Sequence, residues 1–360
     1  MVDEISSDAY RPVIKSALKK RIVLLVLALV CAMLFFVSLM VGPSKLSFGE
    51  SFMALFGQGD AAAVRIVQKI RLPETLAALI AGAGLAIAGL IMQSTLKNPM
   101  ASPSTLGVSN AAVFGANLAI IGLAGGYLDT GNHLDAYGSG ANPYAVGAIA
   151  FGFAILSTFV VLMLCRIRSF SPEIVVLSGI ALGTVWTALT TVLQYYATDV
   201  GLSAAVVWTF GDLGRATFHT DWIMFAVVVA GSAIFYLLQW KYNAMGADES
   251  VAVSLGVRVD LLRFVSMLVA SLITATIVSC LGIIGFVGII CPHAMRRIVG
   301  HNHRFLIPAS LLSGALLLSL ASVVCHLIGN GAALPVGAVT AIMGGPFFLY
   351  LIFARKGGKA

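Results

Sequence analysis

The chain has 360 residues, of which 59% are hydrophobic and 10% charged, with a mean hydropathy of +0.98 and a formal net charge of +7. So few polar residues cannot cover a soluble globule of this size, which leaves a polytopic membrane protein. The positive charge needs no nucleic acid to explain it, because the cytoplasmic loops of membrane proteins collect Lys and Arg beside anionic headgroups.

A helix needs roughly 20 apolar residues to cross a hydrocarbon core. Runs of about that kind lie at 22–42, 72–93, 106–124, 144–164, 174–197, 222–240, 264–281, 283–295, 305–328 and 335–354. The predicted fold is therefore all-α, with about ten transmembrane helices in a single domain spanning 1–360. The first run follows a basic segment, 1–21, and is too long for a secretory signal, so it is expected to stay as a helix. In the second, Ala78, Gly82, Ala86 and Gly89 recur at helical spacing and permit close packing. The eighth is short, and Gly282, Gly285 and Gly288 would let it nest among neighbours before the chain leaves through Pro292. With the N-terminus inside, only Lys45, Arg65, Lys69, Arg71 and Arg215 of the 22 basic residues fall outside, so both termini are expected to be cytoplasmic.

Two loops stand out. The external stretch 125–143 is rich in Gly, Asn and Asp and reads as a connector. The cytoplasmic stretch 241–263 carries a short helix signal, with Asp248 and Glu249 at its start and Gly256 past Leu255. Val251 and Leu255 then share one face, with Val253 and Ser254 away from it. Such a helix outside the membrane must pack on something. Because it opens acidic, whereas interfacial helices favour Lys and Arg, a second protein suits it better than lipid. Arg71-Leu-Pro-Glu-Thr-Leu is loosely echoed by Arg263-Phe-Val-Ser-Met-Leu, which suggests a weak inverted repeat of helices 2–5 and 7–10.

No P-loop, nucleophile elbow, His-Glu-x-x-His or paired-Cys spacing is present, so no catalytic residue, cofactor site or metal site is expected and the chain is not read as an enzyme. Cys31, Cys165, Cys280, Cys291 and Cys325 read as small buried hydrophobes. Helix centres lack Asp, Glu, Lys and Arg; Glu74, Glu173 and Asp221 stand at helix starts and His326 near a helix end. An ion-coupled secondary transporter normally needs such groups inside, so the pattern favours energy supplied by another chain, with the secondary transporter as the alternative.

Several runs carry a specific resemblance. They are Arg71-Leu-Pro, Lys97-Asn-Pro-Met-Ala-Ser-Pro103, Leu106-Gly-Val-Ser109, Leu177-Ser-Gly-Ile-Ala-Leu-Gly183, Trp208-Thr-Phe-Gly-Asp-Leu-Gly214, Gly285 to Arg296, and Leu334-Pro-Val-Gly337 followed by Gly344-Gly-Pro-Phe-Phe348. Together they resemble the FecCD-like permease subunits of ABC importers for iron-siderophores, haem and vitamin B12. The resemblance implies a homodimer, occasionally a heterodimer, of about ten-helix subunits in a bacterial or archaeal cytoplasmic membrane. Two cytoplasmic ATP-hydrolysing chains and an external substrate-binding protein would complete it. An iron-siderophore type complex is the expected cargo, with haem or cobalamin as alternatives. Carried over by position, Asp248, Glu249, Val251, Leu255 and Gly256 would couple to the ATPase. Asn98 and Met100 would gate the path and Thr187, Thr190 and Thr191 would line it. Arg65, Lys69 and Arg71 would meet the binding protein. Glu74, His326 and Ala333 depart from the family pattern.

Overall fold

The computed structural model describes residues 2–42, 44, 46–123, 142–167, 171–328 and 334–353. Most of the external connector, with Lys45, Arg168, Ala333, Arg355, Lys356 and Lys359, lies outside them. The described chain is helical: α1 (Val2–Met40), α2 (Phe48–Leu55), α3 (Ala61–Ile66), α4 (Leu72–Thr95), α5 (Val108–Asn117), α6 (Pro143–Ile167), α7 (Pro172–Tyr195), α8 (Asp199–Thr209), α9 (Phe218–Leu237), α10 (Gln239–Ala247), α11 (Glu249–Ser254), α12 (Val259–Leu281), α13 (Val287–Val299), α14 (His303–Ile328) and α15 (Val336–Phe353). All ten expected apolar runs fall on helices. Seven spans are long and apolar enough to cross a membrane by themselves, whereas α5, α13 and α15 are shorter.

Three boundaries differ from expectation. Arg71 does not open a helix, because α3 and α4 form one continuous rod joined by a π turn over Val67–Arg71. Pro73 cannot donate to the carbonyl four residues back, and the wider turn, closed by Leu72 N–H on Val67 O, absorbs the gap. Pro292 lies inside α13 rather than at its exit. The 241–263 stretch is helical at both ends, being shared among α10, α11 and the start of α12.

The core is built on α4, which is buried along most of its length. Its small residues are the reason: Gly82 meets the Gly314 backbone of α14, Ala86 lies beside the same glycine, and Gly89 meets Gly288 of α13. A Cβ at Gly82 or Gly89 would collide with the facing carbonyl. Interhelical attraction in lipid depends on such close approach, because burying Leu against lipid tails gains nothing.

The inverted repeat is visible in the packing. α4 packs on α13 and α14, and α12 correspondingly packs on α5 and α6. α5 starts after Gly107 at φ 73° and α13 after Phe286 at φ 65°, the same left-handed turn in both halves. Gly179 of α7 touches the Thr105 carbonyl and Gly344 of α15 touches Phe286, again at matching places. One small cavity, about 170 Å³, is lined by members of all four matched segments: Leu85 of α4, Thr274 of α12, Ser102 and Ser104 before α5, and Gly285 and Gly288 around the start of α13. Gly285 faces open space there instead of packing closely.

The bundle has two distinct ends. One holds Lys20, the C-terminus of α4, α10, α11 and the starts of α12 and α14, and is rich in Lys and Arg. At the other, Phe210–Asp212 lies along Leu281–Ile283, and Gly337 N–H donates to Gly211 O at 3.2 Å.

Candidate functional site

At the basic end, α11 is held by caps that its sequence supplies. The Asp248 carboxylate accepts from Glu249 N–H at 2.6 Å and from the Ser250 hydroxyl at 2.7 Å. These bonds, that of Ser250 foremost, hold Asp248 below the usual carboxylate range. Gly256, at φ 79°, takes the left-handed turn that ends the helix, and Val257 N–H reaches back to Ala252 O at 3.0 Å. Ala252 and Val257 face inward and are buried. Val251, Val253 and Leu255 all face out, at 45%, 59% and 60% exposure. Val253 thus joins the outer face from which it was expected to turn away, because a helix of six residues buries only a narrow stripe.

The loop after α4 starts with Lys97 at φ 47°, where Asn98 N–H bonds to Gln93 O at 3.2 Å. The Asn98 side chain accepts from Met100 N–H at 2.9 Å, and the Met100 side chain is exposed. Asn98 and Pro99 therefore form the turn their types favour, with Met100 on its outside.

Three successive residues at the end of α4 reach three different helices. Gln93 is buried; its amide donates to Gly288 O of α13 at 3.0 Å and its carbonyl accepts from Arg296 Nη1. Ser94 Oγ lies 2.8 Å from His303 Nε2 of α14, whose Nδ1 meets Asn243 Oδ1 of α10 at 2.8 Å. The Thr95 carbonyl accepts from Arg263 Nε of α12 at 3.3 Å, and the same guanidinium grips both Glu249 oxygens, at 3.2 and 2.8 Å. Sequence reasoning missed this belt. One part had a signal: Pro292 leaves Gly288 O, four residues earlier, without its helical donor, and Gln93 supplies one.

Along α7 the expected lining residues separate. Thr191 is exposed; Thr187 accepts from Asn110 Nδ2 of α5 at 3.2 Å; Thr190 is buried and donates to Trp186 O at 2.9 Å. Thr190 therefore faces the subunit interior, whereas Thr184, Thr187 and Thr191 share the outer side.

At the opposite end Arg65 and Lys69 are exposed, but Arg71 is 4% exposed. Its guanidinium donates to Leu39 O at 2.9 Å, Met40 O at 3.0 Å and Ser44, closing carbonyls that α1 leaves open at its end. Arg71 is thus enclosed by its own chain and does not stand on the rim, where it was expected. Glu74 and His326, two departures from the family pattern, meet each other, with His326 Nε2 3.4 Å from Glu74 Oε1 and Ser322 Oγ donating to the same oxygen.

These features define an integral membrane protein of the transport-permease kind, with a Gly-rich helical core and, at one end, a capped helix whose outer face is exposed. The FecCD transport family matches residues 28–354, and the chain belongs to that family. A Methanocaldococcus jannaschii protein named as an ABC transporter permease is 43% identical over 336 residues, covering 93% of this chain and 95% of the relative. A Helicobacter pylori permease named for iron chelatin transport is 32% identical, covering 92% and 98%. The vitamin B12 import permease BtuC of Salmonella typhi is 34% identical, covering 86% and 90%. A solved structure described as an inward-facing metal-chelate type ABC transporter is 28% identical, with a TM-score of 0.77, covering 93% of this chain and 99% of the other.

Proposed function

We propose that this chain is the permease subunit of an ATP-driven importer for a metal chelate of the iron-siderophore type. It forms a homodimer, or a heterodimer with a similar chain, whose basic end meets two ATP-hydrolysing chains in the cytoplasm, and whose opposite end receives cargo from a substrate-binding protein. Both termini are cytoplasmic, the membrane is a bacterial or archaeal cytoplasmic membrane, and the whole chain acts as one transmembrane domain. The observation that carries the reading is the outward patch of Val251, Val253 and Leu255 on a helix anchored to the core by Ala252 on its inner side. Exposed apolar side chains beside a basic rim suit a protein partner that covers them. The exposed Thr184, Thr187 and Thr191 stripe supports a polar path along α7, with Asn98 and Met100 at its cytoplasmic exit.

One observation favours the secondary-transporter alternative. Asp221 in α9 is 3% exposed, and neither carboxylate oxygen has a hydrogen-bond partner among the described residues. Reconstitution with the ATPase and binding protein separates the two: uptake of a ferric siderophore should need internal ATP and survive an uncoupler. Uptake driven by a proton gradient without ATPase chains would establish the alternative. Parallel trials with haem and cobalamin decide the cargo.

A further inference from the structure

The buried Arg263 stands between two parts of the basic end that sequence separates by about 150 residues. On one side its forked Nη1 and Nη2 hold the Glu249 carboxylate of α11 at 3.2 and 2.8 Å; on the other its Nε donates to the Thr95 carbonyl at 3.3 Å. Thr95 is the last residue of α4, and the loop bearing Asn98 and Met100 follows at once. The Arg263 side chain is 5% exposed and the Glu249 side chain 43%, so α11 faces out while the arginine is enclosed. Asp260 is 3.9 Å from Nη1 and largely exposed, which makes it a weak competitor for the guanidinium. An arginine fork fixes direction as well as distance, which a lysine point charge does not.

Resting on the permease reading above, we infer that Arg263 is a positioning residue that carries displacement of α11 to the Asn98–Met100 loop, through Glu249 on one side and the Thr95 carbonyl on the other. The end of α4 is otherwise held by Gln93 to α13 and by Ser94 to His303, so Arg263 is what links it to the exposed helix among these three ties. A rigid link is needed because coupling between sites requires an element whose arrangement both sites bias.

The test uses the complete transporter in proteoliposomes, with ATPase chains and binding protein present, and reads substrate moved per ATP hydrolysed together with the thermal midpoint. Arg263→Lys keeps the charge but cannot reach Glu249 and Thr95 together. It should lower the transport-to-hydrolysis ratio about fivefold or more, the lower end of a typical coupling, while ATPase chains still co-purify. The exchange Glu249→Arg with Arg263→Glu restores an ion pair, yet a glutamate cannot donate to the Thr95 carbonyl, so the thermal midpoint should recover in part and the ratio should not recover at all. Should Arg263→Lys fail to insert, Glu249→Ala, at a half-exposed position, removes both carboxylate acceptors of the guanidinium and should lower the ratio in the same way. A parental ratio in these single variants overturns the inference, and so does an exchange variant that regains it. Failure of the parent protein to import with ATP would instead strike the permease reading itself.

Discussion

Replacing Gln93 by Leu keeps the side chain's approximate bulk and removes both of its hydrogen-bonding functions. Gly288 O then has no donor, because Pro292 has no N–H to offer, and Arg296 loses the acceptor for Nη1. A buried carbonyl left unpaired costs about 1–3 kcal/mol and a lost bond to a charged group about 1.5–3 kcal/mol. Arg296 retains some access to solvent, and polar contacts in membrane proteins average only about 0.6 kcal/mol, since the unfolded chain also finds partners there. The expected loss is therefore about 1–4 kcal/mol, from two such averages up to the middle of the aqueous sum. Four of the five free cysteines are buried, so a thiol-reactive fluorophore reports unfolding of the detergent-solubilised protein directly.

Pro292→Ala supplies the missing N–H, so adding it to Gln93→Leu should recover about 1–2 kcal/mol, the Gly288 share. A Gln93→Leu protein within about 0.5 kcal/mol of the parent, the spread of neutral substitutions, would refute this account of the proline. So would a double variant no better than the single one.

Gly89→Val should abolish accumulation of folded protein, because its side chain would meet the Gly288 backbone, whereas Gly246→Ala, in open space, should accumulate normally; detergent-extracted yield compares them. Val251→Asp with Leu255→Asp should release the ATPase chains without unfolding the permease, and unchanged co-purification would refute the docking role. Asp248 is lowered in the folded state, so the contribution of its cap is present above the unfolded value near 3.9 and is lost only as pH falls through the lower folded one; ATPase association should therefore hold level from about pH 5.5 to 8 by pull-down. Charge reversal of exposed Arg65 and Lys69 should slow association of the binding protein, most of all at low salt, while rates equal to the parent's would leave them as headgroup anchors.

What the sequence carried was set by local physics. Apolar length located ten helices, the Asp248 cap and Gly256 bounded α11, and the small residues of the second apolar run marked the face where α4 meets α13 and α14. The short α2 carries its signal in the complete capping box of Ser47 and Glu50, since eight residues are too few for apolar length to mark it. The α8 and α10 helices, of 11 and 9 residues, are likewise too short for apolar length to mark them. The belt around Gln93, Ser94 and Thr95 was not legible. Its partners lie about 170 to 210 positions away, and hydrogen-bond pairing at that range leaves no periodic trace in one sequence.

The opposite end shows why residues carried over singly by resemblance mislead where pairs matter. Arg71 was expected at the rim by resemblance, but in this fold it faces the end of α1, and its guanidinium is taken up by the Leu39, Met40 and Ser44 carbonyls. Glu74 and His326 each break the pattern when taken alone. Together they make a linked pair between α4 and α14, in which Ser322 also donates to the Glu74 carboxylate. A cation at position 74 would face a histidine that now approaches a carboxylate, which sets two donors against each other in a poorly hydrated contact. Replacing Glu74 alone by a cation should therefore destabilise the protein more than exchanging Glu74 and His326 with each other. Among the described residues at this end of the bundle, Arg65 and Lys69 stay exposed while Arg71, Glu74 and His326 are taken up in contacts.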